Sequence, residues 1–239
     1  MTEGERRHLR SEVNHLAADW LADAGDSLWV SAWATNDRDT VAVALVTQMV
    51  GQLGQAAADS FDRERWYAAN ALVRQIVEAH YLMAVFRDDP AQRQRWLDAS
   101  TNRIEKSFRP SQMRQAGGFR PSEYKQHCEW GGHPNPSARW LLPNHSGKVD
   151  PSILATDLAL HLTETVDLLT DVLKMIPNAE ILTAHLPPQG RLPTVYRAWS
   201  VLDPFSRRMQ LPPKPADLPR IQSLASDAAI GPTTTADEG

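Results

Sequence analysis

The chain has 239 residues, 42% of them hydrophobic, enough for one sizeable core, and eight tryptophans are available to anchor helix contacts. A net charge of −4 and a pI near 6.1 argue against a generic polyanion binder, which carries a strong basic excess, while leaving room for a local basic site. The one cysteine, Cys128, excludes an intramolecular disulfide and a paired-cysteine zinc site, and it fits a reducing cytoplasm.

The chain starts on charge (Glu3, Glu5, Arg6, Arg7) with no apolar signal-peptide run behind it. The longest apolar stretch, Val41 to Val46, falls far short of the roughly 18 residues of a membrane span, so a cytoplasmic protein without membrane contact is expected. Thr2 and Glu5 make a capping box for a first helix. Leu9, Val13, Leu16, Trp20 and Ala24 recur at helical spacing, and Gly25 is placed as its C-cap. A second helix is predicted from about Asp37 to Ala58, buried through Val41, Leu45, Met49, Gln52 and Ala56. Its Gly51 and Gly54 weaken it or permit close helix approach.

Ser60 is the expected cap of a third, central helix reaching Arg87, with Trp66, Val73, Val77, Tyr81 and Ala84 on its apolar face. Asp89-Pro90 then opens a fourth helix to about Ser107, carrying Trp96, Leu97 and Ile104. Residues 109–122 read as a loop, and a short helix from Ser122 to Trp130 stops at Gly131-Gly132. The turn His133-Pro134-Asn135-Pro136 cannot be helical. Asp150-Pro151 starts the last long helix, whose periodic positions run Ile153, Leu154, Leu158, His161, Leu162, Thr165 and Leu169 to Leu173. Thr194 to Leu202 forms a short extra helix. The fold class is therefore all-α, a bundle of four long helices plus short ones over residues 1–202. Residues 203–239 make a Pro-rich tail, largely disordered from about Leu211.

Three patterns carry chemistry. Arg74 and Glu78, four apart on the third helix, are two charges within an apolar stripe, serving either a structural ion pair or a site. The segment Tyr124 to Asn135 holds Tyr124, His127, Cys128, Glu129 and His133 beside a rigid turn. His127, Glu129 and His133 are possible metal ligands, but their spacing matches no standard motif, and no metal or cofactor is expected. Cys128 is either a core residue or a nucleophile needing a nearby base. Between Arg87 and Lys125, nine basic residues face five acidic ones, with Trp96, Phe108, Phe119 and Tyr124 interleaved. Guanidinium forks suit phosphate oxygens and rings stack on unpaired bases, although a solvated helix face gives the same pattern.

The run Asn70-Ala71-Leu72-Val73-Arg74-Gln75-Ile76-Val77-Glu78-Ala79-His80-Tyr81-Leu82, followed by Tyr124, Cys128 and Gly132-His133-Pro134, resembles a bacterial family of uncharacterised helical proteins distantly similar to HEPN-type bundles. The likeness covers about Trp66 to Leu142. It implies a cleft in which Arg, Glu and His meet. HEPN-type ribonucleases pair an arginine with a histidine across four to six intervening residues, cleave RNA without metal, and usually act as homodimers. Arg74 and His80 match that spacing. On this resemblance Arg74, Glu78, His133 and His80 are the catalytic candidates. Tyr124, His127, Arg109, Arg114 and Trp96 are the substrate-binding ones. The expected function is RNA binding or cleavage, in stress response or phage defence. The alternative is a non-enzymatic helical module that binds a partner protein.

Overall fold

The computed structural model describes residues 2–132, 136–142, 149–177 and 179–209, and no strand occurs among them. Four long helices form the bundle: α1 (Glu3–Thr35), α2 (Arg38–Asp62), α3 (Trp66–Asp88) and, much later in the chain, a helix spanning Pro151–Leu173. Between them lie α4 (Ala91–Leu97), α5 (Thr101–Ser107), α6 (Pro110–Ala116), α7 (Pro121–His127), a π-helical turn (Cys128–Gly132) and a 3-10 turn (Pro136–Leu141). The last long helix is α8, followed by α9 (Ala179–Ala184), α10 (Leu192–Leu202) and α11 (Pro204–Met209).

Local signals set the helix ends. The Thr2–Glu5 capping box closes as expected, Thr2 N donating to Glu5 Oε2 at 2.6 Å and Glu5 N to Thr2 Oγ1 at 3.3 Å. The first helix does not stop at Gly25 but runs to Thr35. There Asn36 takes the left-handed conformation (φ 53°) and Asp37 caps α2 through the amides of Asp39 and Thr40. Gly25 serves packing instead. A Cβ on it would lie 2.7 Å from the backbone nitrogen of Gln48, and one on Gly51 would lie 2.4 Å from that of Ala22. The two helices therefore approach almost backbone to backbone.

That approach corrects the expected burial of α2. Its inner face is made of small residues, Ala42, Val43, Val46, Val50 and Ala57, and Met49 is left 47% exposed. Period counting favoured the larger side chains, but a close interface selects the smaller ones. By length and composition alone, α2 is long and apolar enough to cross a membrane. More than half of its apolar stretch is covered within the bundle.

Three further boundaries differ from expectation. Ser60 lies inside α2, its hydroxyl donating to the Ala56 carbonyl at 2.7 Å, and α3 starts after Arg65 with no side-chain cap. The expected fourth helix is two helices, α4 and α5, separated at Asp98–Ser100, and the expected loop after Arg109 contains α6. At the carboxyl end, the chain does not leave the bundle at Leu202. Asp203 is buried and accepts from Arg10 Nε at 2.5 Å and from Trp199 Nε1 at 3.0 Å, and it caps α11 through Phe205 N at 2.9 Å. The expected disorder from Leu211 lies outside the described residues.

The core sits where α8 meets α1, α2 and α3, around Leu21, Val46, Ile76, Tyr81, Leu158 and Leu162. On the open side of α3, α6, α7 and the π-helical turn pack against it. From α7, His127 reaches α8.

Candidate functional site

α3 carries Arg74 and Glu78 one turn apart, and α7 lays Tyr124 across them. Arg74 Nε reaches Glu78 Oε1 at 3.1 Å, the Tyr124 hydroxyl donates to the same oxygen at 2.8 Å, and Arg74 Nη2 donates to the Tyr124 oxygen at 3.3 Å. The guanidinium carbon stands 5.9 Å from the tyrosine ring centre. All three side chains are half-buried. Burial, then the bond to Glu78, pushes the Tyr124 phenol well above its usual range. Burial works against the Arg74 charge, but the bond to Tyr124 and the charge of Glu78 outweigh it and raise its pKa. Cys128, half-buried in the π-helical turn, lies beside the same phenol. The triad holds α7 to α3.

The other sequence candidates divide. His80 does not meet Arg74: six positions on, it faces α8, and it is 2% exposed. The edge of Trp96 packs on Phe86 at 5.8 Å, and Arg114 donates to the Phe119 carbonyl at 3.2 Å, so both brace the fold. Arg109 is exposed before α6. Glu129 is exposed and pairs with Lys125 at 3.6 Å. His133 lies outside the described residues.

His127, three residues after Tyr124, turns inward and finds α8. Its Nδ1 stands 3.5 Å from Asp157 Oδ2, and His161 Nε2 stands 3.6 Å from Asp157 Oδ1. His80 Nε2 stands 3.7 Å from Glu164 Oε2. The three imidazoles pack edge to face, His127 to His161 at 5.2 Å and His80 to His161 at 5.8 Å. Two groups, His80 with His161 and Glu164, and His127 with Asp157 and His161, each bring their possible ligand atoms within 4.8 Å of one another. Burial pushes Asp157 up to about 7. Burial first, then the neighbouring His127 and His80, hold His161 well below the usual imidazole range, so its ring is neutral.

Of these five groups the sequence reading named His80 and His127 as candidates and took His161 as a core position of α8. The missed signal was Asp157-x-x-x-His161-x-x-Glu164, three potential ligands at i, i+4 and i+7 on one helical stripe. Compared with known proteins, the chain matches no family model, no curated protein and no solved structure.

Proposed function

We propose that this all-α bundle binds RNA through the segment from α4 to α7. The observation that carries the reading is a run of exposed cations, Arg95, Lys106, Arg109 and Arg120, in a chain of net charge −4. At the inner border of that segment the Arg74–Tyr124 pair offers a guanidinium and an aromatic ring at a half-open surface. Cations on the phosphates and a ring for stacking are the elements of single-strand recognition. The resemblance to HEPN-type bundles points the same way. The proposal is binding rather than metal-free cleavage by an arginine–histidine pair, because His80 is buried against α8 and apart from Arg74.

The test is fluorescence anisotropy of a labelled single-stranded RNA over a salt series. Affinity is expected to fall with salt, with a log–log slope of about −0.7 per phosphate neutralised. Arg109→Ala with Arg120→Ala is expected to flatten that slope. No binding at low salt by folded protein overturns the reading.

One observation favours the second reading, a protein-interaction module. Near the end of α1 the rings of Trp29 and Trp33 stack at 6.0 Å, with Trp33 75% and Val30 67% exposed. Sedimentation of wild type beside Trp33→Glu tests self-association through this patch. A dimer lost in the variant supports this reading, and identical monomers remove the homodimer.

A further inference from the structure

The His80–His127–His161 cluster is not used by the proposed RNA surface, yet its geometry is specific. Three helices converge on it: His80 comes from α3, His127 from the end of α7, and Asp157, His161 and Glu164 from one stripe of α8. The nitrogen–oxygen separations of 3.5, 3.6 and 3.7 Å are too long for hydrogen bonds. They are close to what a shared ion produces. Bonds of about 2.1 Å at the tetrahedral angle put two ligand atoms about 3.4 Å apart.

The orientation of His80 points the same way. Thr165 donates its one hydroxyl proton to the His161 carbonyl at 2.7 Å. The contact between His80 Nδ1 and Thr165 Oγ1, at 3.2 Å, is therefore donated by the ring. In a neutral imidazole this leaves Nε2 as a lone pair facing the Glu164 carboxylate. A cation between these two atoms would be held by both. An outer nitrogen donating to an oxygen while the inner one faces the site is also how metal-ligating histidines are usually fixed.

We propose that His127, Asp157 and His161, with His80 and Glu164 at the outer side, bind one divalent first-row transition-metal ion, His161 being the ligand common to both groups. Imidazole and carboxylate donors without thiolate suit Zn²⁺, Fe²⁺, Co²⁺ or Mn²⁺ rather than Cu⁺, and His161 belongs to both groups. Glu164, the most exposed of the five, marks the side from which ion and water reach the site.

The experiment uses the full chain without an affinity tag, stripped with chelator and titrated with Co²⁺, read by visible d–d absorption and by calorimetry. One equivalent binds, and His161→Asn weakens the affinity by at least about a hundredfold. Glu164→Gln and His127→Gln weaken it too. His185→Asn, altering an exposed histidine bonded to its own helix, leaves it unchanged. Circular dichroism confirms the fold of each variant. If His161→Asn does not fold, Glu164→Gln, at a more exposed position, decides. Folded wild type that shows no saturable Co²⁺ band overturns the proposal, as do folded variants that bind like wild type. The inference stands apart from the RNA reading: RNA binding without metal removes this one alone, and metal binding without RNA removes the other.

Discussion

The ring of His80 is held by the hydroxyl of Thr165, Nδ1 lying 3.2 Å from Oγ1, and both residues are buried. Thr165→Val keeps the shape and removes the acceptor. The ring nitrogen then loses this acceptor, and a stability loss of about 1–3 kcal/mol is expected in urea unfolding. The same change frees the ring to rotate, so Co²⁺ affinity is expected to fall about tenfold. A loss of stability with unchanged Co²⁺ affinity would show that Thr165 serves the core alone.

Arg10 and Asp203, 193 positions apart, form a buried ion pair that ties the start of α1 to the junction of α10 and α11. Thr156 on α8 also reaches Asp203, at 3.5 Å. Asp203→Ala leaves the guanidinium with Glu3 as its remaining carboxylate partner near the surface. Breaking a buried pair from one side costs about 3–5 kcal/mol, to be read as a lowered urea midpoint with an unchanged slope. Adding Arg10→Met to Asp203→Ala is expected to restore part of the loss, since no charge then stays buried alone. A midpoint near that of wild type for Asp203→Ala would contradict this account of the carboxyl-terminal helices.

Glu3 gives the pH dependence. Its bonds to Arg10 and then Arg6 lower its pKa from 4.5 to about 2. A carboxylate with a depressed folded pKa contributes stability above its unfolded pKa and loses it as pH falls through the folded one. The Glu3 contribution is therefore complete above about pH 5 and fades between about 4.5 and 2. Comparing urea midpoints of wild type and Glu3→Gln across this range is expected to show a gap that closes with acid. A gap that stays constant would assign the effect of Glu3 to packing.

Much of the fold was legible because local rules governed it. The Thr2–Glu5 box, the start of α2 at Asp37 and Asp150-Pro151 all act within a few residues of themselves. What escaped were pairwise facts. Gly25 is a helix stop by composition, and only the nearness of Gln48 makes it a packing position. Met49 fits the expected stripe of α2, yet a close α1–α2 interface leaves it outside. The site divided the same way. Arg74 and Glu78 were legible as neighbours on one helix, and Tyr124 was singled out without its partner. His161 looked like a core residue because its spacing matched the leucines around it. Its meaning depends on His80 and His127 arriving from other helices, which no periodicity within α8 reveals.

In the proposed metal centre, three histidines and two carboxylates from α3, α7 and α8 surround one ion. The most direct measurement is anomalous diffraction from crystals of the chain grown with Co²⁺ or Zn²⁺, collected on both sides of the metal edge. The account predicts an anomalous peak between α3, α7 and α8, about 2.0–2.2 Å from a ring nitrogen of His161 and from a carboxylate oxygen of Asp157 or Glu164. Crystals soaked to saturation that show no peak there, or show one only at exposed histidines such as His8 and His185, would contradict it.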